Sequence, residues 1–266
     1  MSSFKMRKNR LQIDYPLESI EHIIAGELRI PVLFLHGWGG NCTTMNSLIQ
    51  PISAHRKTVS ISMPGFGNSP EPSDEWGTWD YVEAVHQWMD LNGLEIVDII
   101  SHSFGGRVAI GLAHRYPKNV NTMVLIDSAG LVLPRSPKVW AKLFLSRSIN
   151  RLGNLIGGEL KEKLHARKSK LGSADWKAAS PVMRRILGRV IREDLSLELR
   201  EIKTRTLLLW GSTDSAVPVK LGKRMNQLIQ DSKITILPNA GHYPFLDEPG
   251  KSLTVVWDWL ELPAVW

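Results

Sequence analysis

The stretch Ser-His-Ser-Phe-Gly-Gly at residues 101–106 decides the fold of this chain. It follows a short apolar run at 96–100 that is rich in β-branched residues and typical of a buried strand. It precedes a helical pattern at 107–114 that ends near Pro117. A strand that becomes a helix within three residues forces one residue into a strained conformation, and its neighbours two positions away must be small. The stretch therefore predicts a sharp junction between a strand and a helix.

Two serines compete for the apex of this junction. Ser103 lies between Ser101 and Gly105, which are both small. Ser101 would instead have Ile99 in the crowded position two residues before it. Ser103 is therefore the candidate nucleophile of a G-x-S-x-G motif whose first glycine has become Ser101. Because the motif is imperfect, it needs support from the rest of the chain.

Strand-like and helical runs alternate on both sides of the junction. Further buried strands are predicted at 31–36, 57–62, 122–127, 205–211 and 233–237, with an edge hairpin within 19–28. Helices are predicted at 78–92, with Thr78 as N-cap, from Pro218 toward Gln230, and around Trp257. Such alternation is typical of parallel βαβ units. The fold class is therefore predicted as α/β, with a mostly parallel central sheet flanked by helices.

The alternation breaks between 133 and 204, where basic helical segments are predicted at 138–152, 159–171 and 181–192. Residues 131–200 hold 16 Lys and Arg against 6 Asp and Glu, whereas the whole chain holds 33 against 26. We interpret residues 131–200 as a basic helical lid inserted into a core domain formed by residues 1–130 and 201–266. The alternative is a plain solvated face whose apolar underside packs on the core.

Composition limits the function classes. The single Cys42 excludes an internal disulfide. No stretch reaches the roughly 18 apolar residues of a membrane span, and no apolar region of a secretory signal follows the basic start of the chain. A cytoplasmic protein is therefore expected. No nucleic-acid-binding motif accompanies the net charge of +7, so nucleic acid is not expected as a partner, and the oligomeric state stays open.

A glycine-dense turn, Gly-Trp-Gly-Gly-Asn at residues 37–41, follows the predicted strand that ends in His36. Glycines let backbone N–H groups approach a ligand closely. Such a turn can supply half of an oxyanion hole, although a glycine after a strand can also form only a tight turn.

Three polar residues each come just after a predicted strand: Ser103, Asp214 and His242. In a parallel α/β sheet these positions meet at one edge, where ligands bind. A serine hydroxyl needs a base within hydrogen-bond reach, and the base needs an acceptor that fixes its tautomer. The chain order Ser, Asp, His is one of the known orders for this arrangement.

With these motifs in place, the chain resembles the α/β-hydrolase superfamily over nearly its whole length. The matching motifs lie, in order, at residues 36–40, 64–67, 101–106, 210–214 and 241–242. The resemblance implies that Ser103 is the nucleophile, His242 the general base and Asp214 its orienting carboxylate. It also implies that the backbone N–H groups of Trp38 and Phe104 form the oxyanion hole. It implies neither a metal nor a cofactor.

Four residues beside these are expected to contact substrate: His36, Gly37, Gly39 and His102. Of the two histidines, His36 is expected mainly to support the glycine loop, and His102 to pack beside the junction.

Two departures from the family pattern concern acidic residues. Ser62 stands where the family often carries Asp, a position that is usually structural. Asp127, at the end of an earlier strand, is the alternative acid that some relatives use. We favour Asp214 over it because the turn at 210–214 and its spacing to His242 both fit.

The resemblance extends to lid-bearing members similar to carboxylesterases and carbon–carbon bond hydrolases. A serine nucleophile excludes haloalkane dehalogenases and epoxide hydrolases, which use aspartate. Residues 39–41 lack the proline that carbon–carbon hydrolases commonly carry there. We therefore expect hydrolysis of a small-molecule carboxylic ester through an acyl-enzyme, with carbon–carbon cleavage or a slow-turnover ligand receptor as alternatives. The basic lid suggests an acidic substrate or transient contact with an anionic membrane surface.

Overall fold

The computed structural model describes residues 13–26, 30–132 and 178–263. Its strands are β1 (His22–Ala25), β2 (Val32–Leu35), β3 (Thr58–Ile61), β4 (Val97–His102), β5 (Val120–Ile126), β6 (Arg205–Gly211) and β7 (Ser232–Leu237). They form one sheet in the order β1-β3-β2-β4-β5-β6-β7. Strand β1 is antiparallel to β3, and every other neighbouring pair is parallel. The predicted mostly parallel sheet is confirmed.

Helices cover both faces of this sheet. They are α1 (Asn46–Ser53), α2 (Thr78–Leu91), α3 (Phe104–Arg115), α4 (Pro181–Val190), α5 (Ser196–Glu201), α6 (Val219–Leu228), α7 (Pro244–Asp247) and α8 (Pro249–Trp259). Alternate residues of each strand point to opposite faces, so β2 places Phe34 in one core and Leu35 in the other. Helices α1 and α8 cover the first core, whereas α2, α3 and α6 cover the second. Every buried strand therefore ends at an edge that both helical layers leave open to the loops.

One local prediction is described only in part, and another differs from the structure. Of the edge hairpin predicted within 19–28, residues 19–26 show the edge strand β1, and residues 27–28 lie outside the described residues. Helix α2 does begin at Thr78, but the N-cap is Gly77, so the predicted cap is wrong by one residue. The reason is that the Asp80 carboxylate accepts the Gly77 N–H at 2.7 Å, and the Glu193 carboxylate accepts the Thr78 N–H at 3.0 Å.

Part of the predicted lid falls within the described residues. The helices predicted at 138–152 and 159–171 lie outside them, and the third is α4. Its apolar stripe packs on the core through Met183, Ile186 and Val190, which are all buried. Ile191, which lies within the predicted helix at 181–192, follows the end of α4 and is 55% exposed.

Two arginines of α4 bind the core. Arg185 pairs with Asp74 at 2.5 Å, and Arg189 donates to the carbonyl of Trp76 at 2.7 Å. These two arginines therefore fasten α4 to the core, and the basic lid at 131–200 stays a prediction. Among the helices of residues 13–26, 30–132 and 178–263, none has the length and apolar character that crossing a membrane demands.

Candidate active site

Ser103 occupies the strained apex that the sequence predicts. It stands between β4 and α3 with φ of 49° and ψ of −110°, a region that residues with side chains rarely adopt. The need for a small residue two positions after Ser103 is also confirmed, because a Cβ on Gly105 would lie 2.2 Å from the carbonyl oxygen of Leu35. The junction therefore presents the Ser103 hydroxyl at the carboxyl edge of the sheet.

Ser101 fits the first small position without strain of its own. It is fully buried in β4, and its hydroxyl donates to the carbonyl of Val124 on β5 at 3.2 Å. A serine is tolerated here because the neighbouring strand satisfies its hydroxyl.

Replacing Ser101 with glycine is expected to leave esterase turnover within about threefold of the parent, because the residue touches neither Ser103 Oγ nor the cavity. The variant is expected to lose about 1 kcal/mol of unfolding free energy, through the lost hydrogen bond and the added backbone freedom. Parallel urea unfolding and ester hydrolysis assays measure the two effects. A large loss of turnover with unchanged stability would contradict this account of Ser101.

The structure brings the three predicted polar side chains together. Asp214 follows β6 and His242 follows β7, both at the sheet edge that holds Ser103. His242 Nε2 lies 3.1 Å from Ser103 Oγ, and His242 Nδ1 lies 2.8 Å from Asp214 Oδ2. With Asp214 ionised, Nδ1 carries the imidazole proton, and Nε2 can accept the proton of Ser103.

The Asp214 side chain is well suited to stay ionised. Its Oδ1 accepts the N–H groups of Ala216 and Val217 at 2.7 and 2.9 Å, while its Oδ2 faces His242. Burial by itself would raise the pKa of Asp214, but the hydrogen bonds from His242 and these amides outweigh it and hold the pKa below its usual value. Asp214 can therefore orient His242 and stabilise its protonated form.

Two backbone amides are available near Ser103. Among the described residues, neither the Trp38 amide nor the Phe104 amide donates a hydrogen bond to another group. The Trp38 ring packs edge-on against Phe66 and Phe104, with centroids 4.9 and 5.1 Å apart. Gly37 must be glycine, because a Cβ there would lie 2.6 Å from Nδ1 of His102. The Trp38 and Phe104 N–H groups therefore have no hydrogen-bond partner among the described residues, which is compatible with the predicted oxyanion hole.

The two predicted histidines have different surroundings. His36 is buried, and its ring joins two loops: Nδ1 contacts the Gly37 carbonyl at 2.7 Å, and Nε2 accepts the Met63 N–H at 2.9 Å. Burial lowers the pKa of His36 to about 4. Both nitrogens are used inside the protein, so His36 supports the glycine loop.

His102 is also fully buried, and its Nε2 lies 2.7 Å from the carbonyl oxygen of His242. Burial is the main cause, and the nearby His242 the second cause, of a pKa of His102 lowered to about 3, so its ring is neutral. His102, which directly precedes the candidate nucleophile, is therefore bound to the backbone of His242, the predicted base.

A cavity of about 620 Å³ opens beside this arrangement. Its wall includes the predicted residues Gly37, Trp38, Gly39 and His102, and Phe66 of the motif at 64–67. It also includes side chains that the sequence analysis did not single out: Thr44, Glu71, Met183 and Tyr243. Met183 belongs to α4, so the described end of the predicted lid borders the cavity. No local signal could have identified these residues, because their elements meet only in the folded chain.

Glu21 was missed in the same way. Its carboxylate accepts the Ser62 hydroxyl at 2.5 Å and the Asn68 N–H at 3.0 Å. Both bonds lower the pKa of Glu21, and the bond from Ser62 has the larger effect. A distant glutamate thus reaches the position where the family often carries Asp, and β1 brings it there by pairing His22 with Ile61.

One cluster of metal-ligand residue types occurs in the described part of the chain: Asp127, Asp214 and His242. His242 and Asp214 are hydrogen-bonded to each other and to the nucleophile or loop amides, so their donor atoms are already used. The donor set therefore fits proton transfer better than metal binding.

Comparison with known proteins identifies the family of the chain. A family model described as alpha/beta hydrolase fold matches residues 30–249. A 2-hydroxy-6-oxo-2,4-heptadienoate hydrolase from Pseudomonas putida is 26% identical over 252 residues, which cover 86% of this chain and 88% of the relative. A pimeloyl-(acyl-carrier protein) methyl ester esterase from Shewanella woodyi is 29% identical over 248 residues, which cover 86% and 93%.

Among solved structures, a thermophilic esterase from Thermogutta terrifontis matches with a TM-score of 0.69 and 22% identity, covering 91% of this chain and 93% of the esterase. The relatives thus include both esterases and carbon–carbon bond hydrolases. The predicted α/β fold and the prediction of a hydrolase are confirmed. Because the family model spans most of its length, the chain belongs to the alpha/beta hydrolase fold family.

Proposed function

We propose that the protein hydrolyses a small-molecule carboxylic ester through an acyl-enzyme formed on Ser103. One observation carries this proposal: His242 lies within hydrogen-bond distance of both Ser103 Oγ and Asp214 Oδ2. This arrangement can turn a serine hydroxyl, which is a poor nucleophile by itself, into a reactive one.

The reaction proceeds in two halves. Ser103 Oγ attacks the ester carbonyl carbon while His242 Nε2 takes the hydroxyl proton. The tetrahedral intermediate collapses as His242 returns this proton to the leaving alcohol, which leaves the acyl group on Ser103. Water then attacks the acyl carbonyl carbon while His242 Nε2 takes one of its protons, and His242 returns this proton to Ser103 Oγ as the bond to the acyl group breaks and the carboxylic acid leaves. The amides of Trp38 and Phe104 stabilise the oxyanion in both halves.

The cavity wall supports an uncharged substrate. Among the described residues that line it, Glu71 is the one charged at neutral pH, and none is Lys or Arg. A substrate carboxylate that becomes buried is held best by a cationic side chain, and the described lining residues include no Lys or Arg. A neutral ester fits the described wall better than an anionic ring-cleavage product.

Carbon–carbon bond hydrolysis is the second candidate. The observation that favours it is the Pseudomonas putida relative, whose name specifies a 2-hydroxy-6-oxo-dienoate substrate and whose similarity covers most of both chains. The same serine, histidine and amides would serve either reaction. The acidic substrate that the basic lid suggested is disfavoured by the described wall. The contact with an anionic membrane and the cytoplasmic location remain predictions.

A panel of p-nitrophenyl esters of increasing acyl length, run beside a 2-hydroxy-6-oxo-dienoate, tests the choice. We expect kcat/KM for the best ester to exceed that for the dienoate at least about tenfold. Preference for the dienoate would overturn the ester assignment in favour of carbon–carbon cleavage. Near-stoichiometric turnover of both, with a large ligand-induced rise in Tm, would instead indicate a receptor.

A further inference from the structure

Asp127 is a buried carboxyl group that none of the proposed chemical steps uses. It follows β5, is fully buried and has φ of 41°. Its Oδ1 accepts the N–H of Gly211, the last residue of β6, at 3.0 Å. Its Oδ2 is buried without a hydrogen-bond partner within the residues that the structure describes. A buried polar atom in this position is costly unless something satisfies it.

The unpartnered group faces the candidate site. One carboxylate oxygen of Asp127, one of Asp214 and one ring nitrogen of His242 lie within 4.8 Å of one another. Two ionised carboxylates repel strongly at such a distance in a buried environment. Asp214 is better suited to hold the charge, since it accepts hydrogen bonds from His242 and two amides, whereas Asp127 accepts one. A proton shared by the two carboxyl groups therefore belongs on Asp127 Oδ2.

We propose that Asp127 is a positioning residue that keeps its proton at neutral pH and donates it to the Asp214 carboxylate. The two carboxyl groups then carry one negative charge between them. The added hydrogen bond holds Asp214 in the orientation in which it receives the Nδ1 proton of His242. The kinetic part of this inference rests on the proposed function, and its protonation part does not.

The surroundings of Asp127 agree with this assignment. Burial raises the pKa of Asp127 to about 9; the Gly211 amide opposes the rise, and the charges of Asp214 and Asp247 add to it. His242, the other titratable group that faces Asp127, is bound to Asp214.

The sign of the pH effect follows from these states. Between the ordinary pKa of 3.8 and about 9, the folded protein holds one more proton on Asp127 than the unfolded chain does. The stability due to this group is therefore complete below about pH 4 and falls as pH rises toward 9. Asp127→Asn removes the titratable carboxyl group. The asparagine oxygen can still accept the Gly211 N–H, and its NH₂ group can still donate to Asp214.

The first arm of the test is thermal unfolding of the full chain and of Asp127→Asn at pH 5, 7 and 8. We expect the Tm of the variant, relative to the parent, to rise by at least about 5 °C between pH 5 and pH 8. Asp74→Asn, at an exposed ion pair, serves as the control and should show no such trend. A Tm difference that does not change with pH would show an ionised Asp127 and overturn the proposal.

The second arm is the pH profile of ester hydrolysis. Asp127→Ala is expected to lower kcat by about 10-fold or more with little change in KM, because Asp214 loses its support. The parent is expected to show a decline in kcat near pH 9, where Asp127 loses its proton. Asp127→Asn should recover most of the loss seen in Asp127→Ala and should also remove this decline. Equal kcat values and equal profiles for the two variants would restrict Asp127 to a structural role and overturn the positioning claim. If the parent hydrolyses no ester, the proposed function fails, while the thermal arm still decides the protonation state.

Discussion

Ser103→Ala is expected to lower kcat for the best ester by about 10⁴-fold or more, because it removes the hydroxyl that lies 3.1 Å from His242 Nε2. The variant keeps the oxyanion amides and the cavity, so KM should change little. A fluorophosphonate probe, which reacts with activated serines, should label the parent and not the variant.

Ser101→Ala provides the matched control for this experiment. It removes a hydroxyl two residues away, in the same motif, whose contact is the Val124 carbonyl rather than His242. We expect it to be labelled at the parent rate and to hydrolyse esters at a similar kcat. If Ser103→Ala were still labelled, or if Ser101→Ala were not, the nucleophile would have to be reassigned.

Asp214→Asn is expected to lower kcat by about 10³- to 10⁴-fold. The asparagine oxygen can still accept the amides of Ala216 and Val217, so the loop should keep its shape. Its amide group would then face His242 Nδ1 and donate to it, which moves the imidazole proton to Nε2. In that tautomer His242 cannot accept the Ser103 proton.

Ester kinetics and circular dichroism of Asp214→Asn separate loss of the base from loss of the fold. Asp258→Asn, at an exposed position on α8, is the control and should behave like the parent. Retention of activity in Asp214→Asn together with its loss in Asp127→Asn would move the orienting role to Asp127.

The sequence predicted those parts of the fold that depend on local pattern. Strand β6 covers the same residues, 205–211, as the predicted strand, because a continuous apolar run is bounded by turn residues. The meeting of Ser103, Asp214 and His242 was also predictable, since each follows a parallel strand and such strands end at one edge.

Contacts between distant segments could not be predicted. Gly77 rather than Thr78 is the N-cap of α2. Asp80 accepts the Gly77 N–H, and Glu193, from another part of the chain, accepts the Thr78 N–H. Asp127 could be named as an alternative acid, but its unpartnered oxygen beside Asp214 is visible only when β5 and β6 lie side by side.

The carboxylate of Glu21, the residue before β1, connects the outermost strand to the loop beside the candidate site. It holds Ser62 and Asn68, which flank the loop whose Phe66 ring packs on Trp38. A chain of contacts therefore connects β1, through this loop, to Trp38, whose amide is one of the two assigned to the oxyanion hole. A fusion partner or deletion that displaces β1 would be expected to slow turnover without altering any residue of the cavity wall. Protein engineers working with this enzyme should accordingly test how N-terminal changes affect kcat before attributing a loss of activity to the cavity.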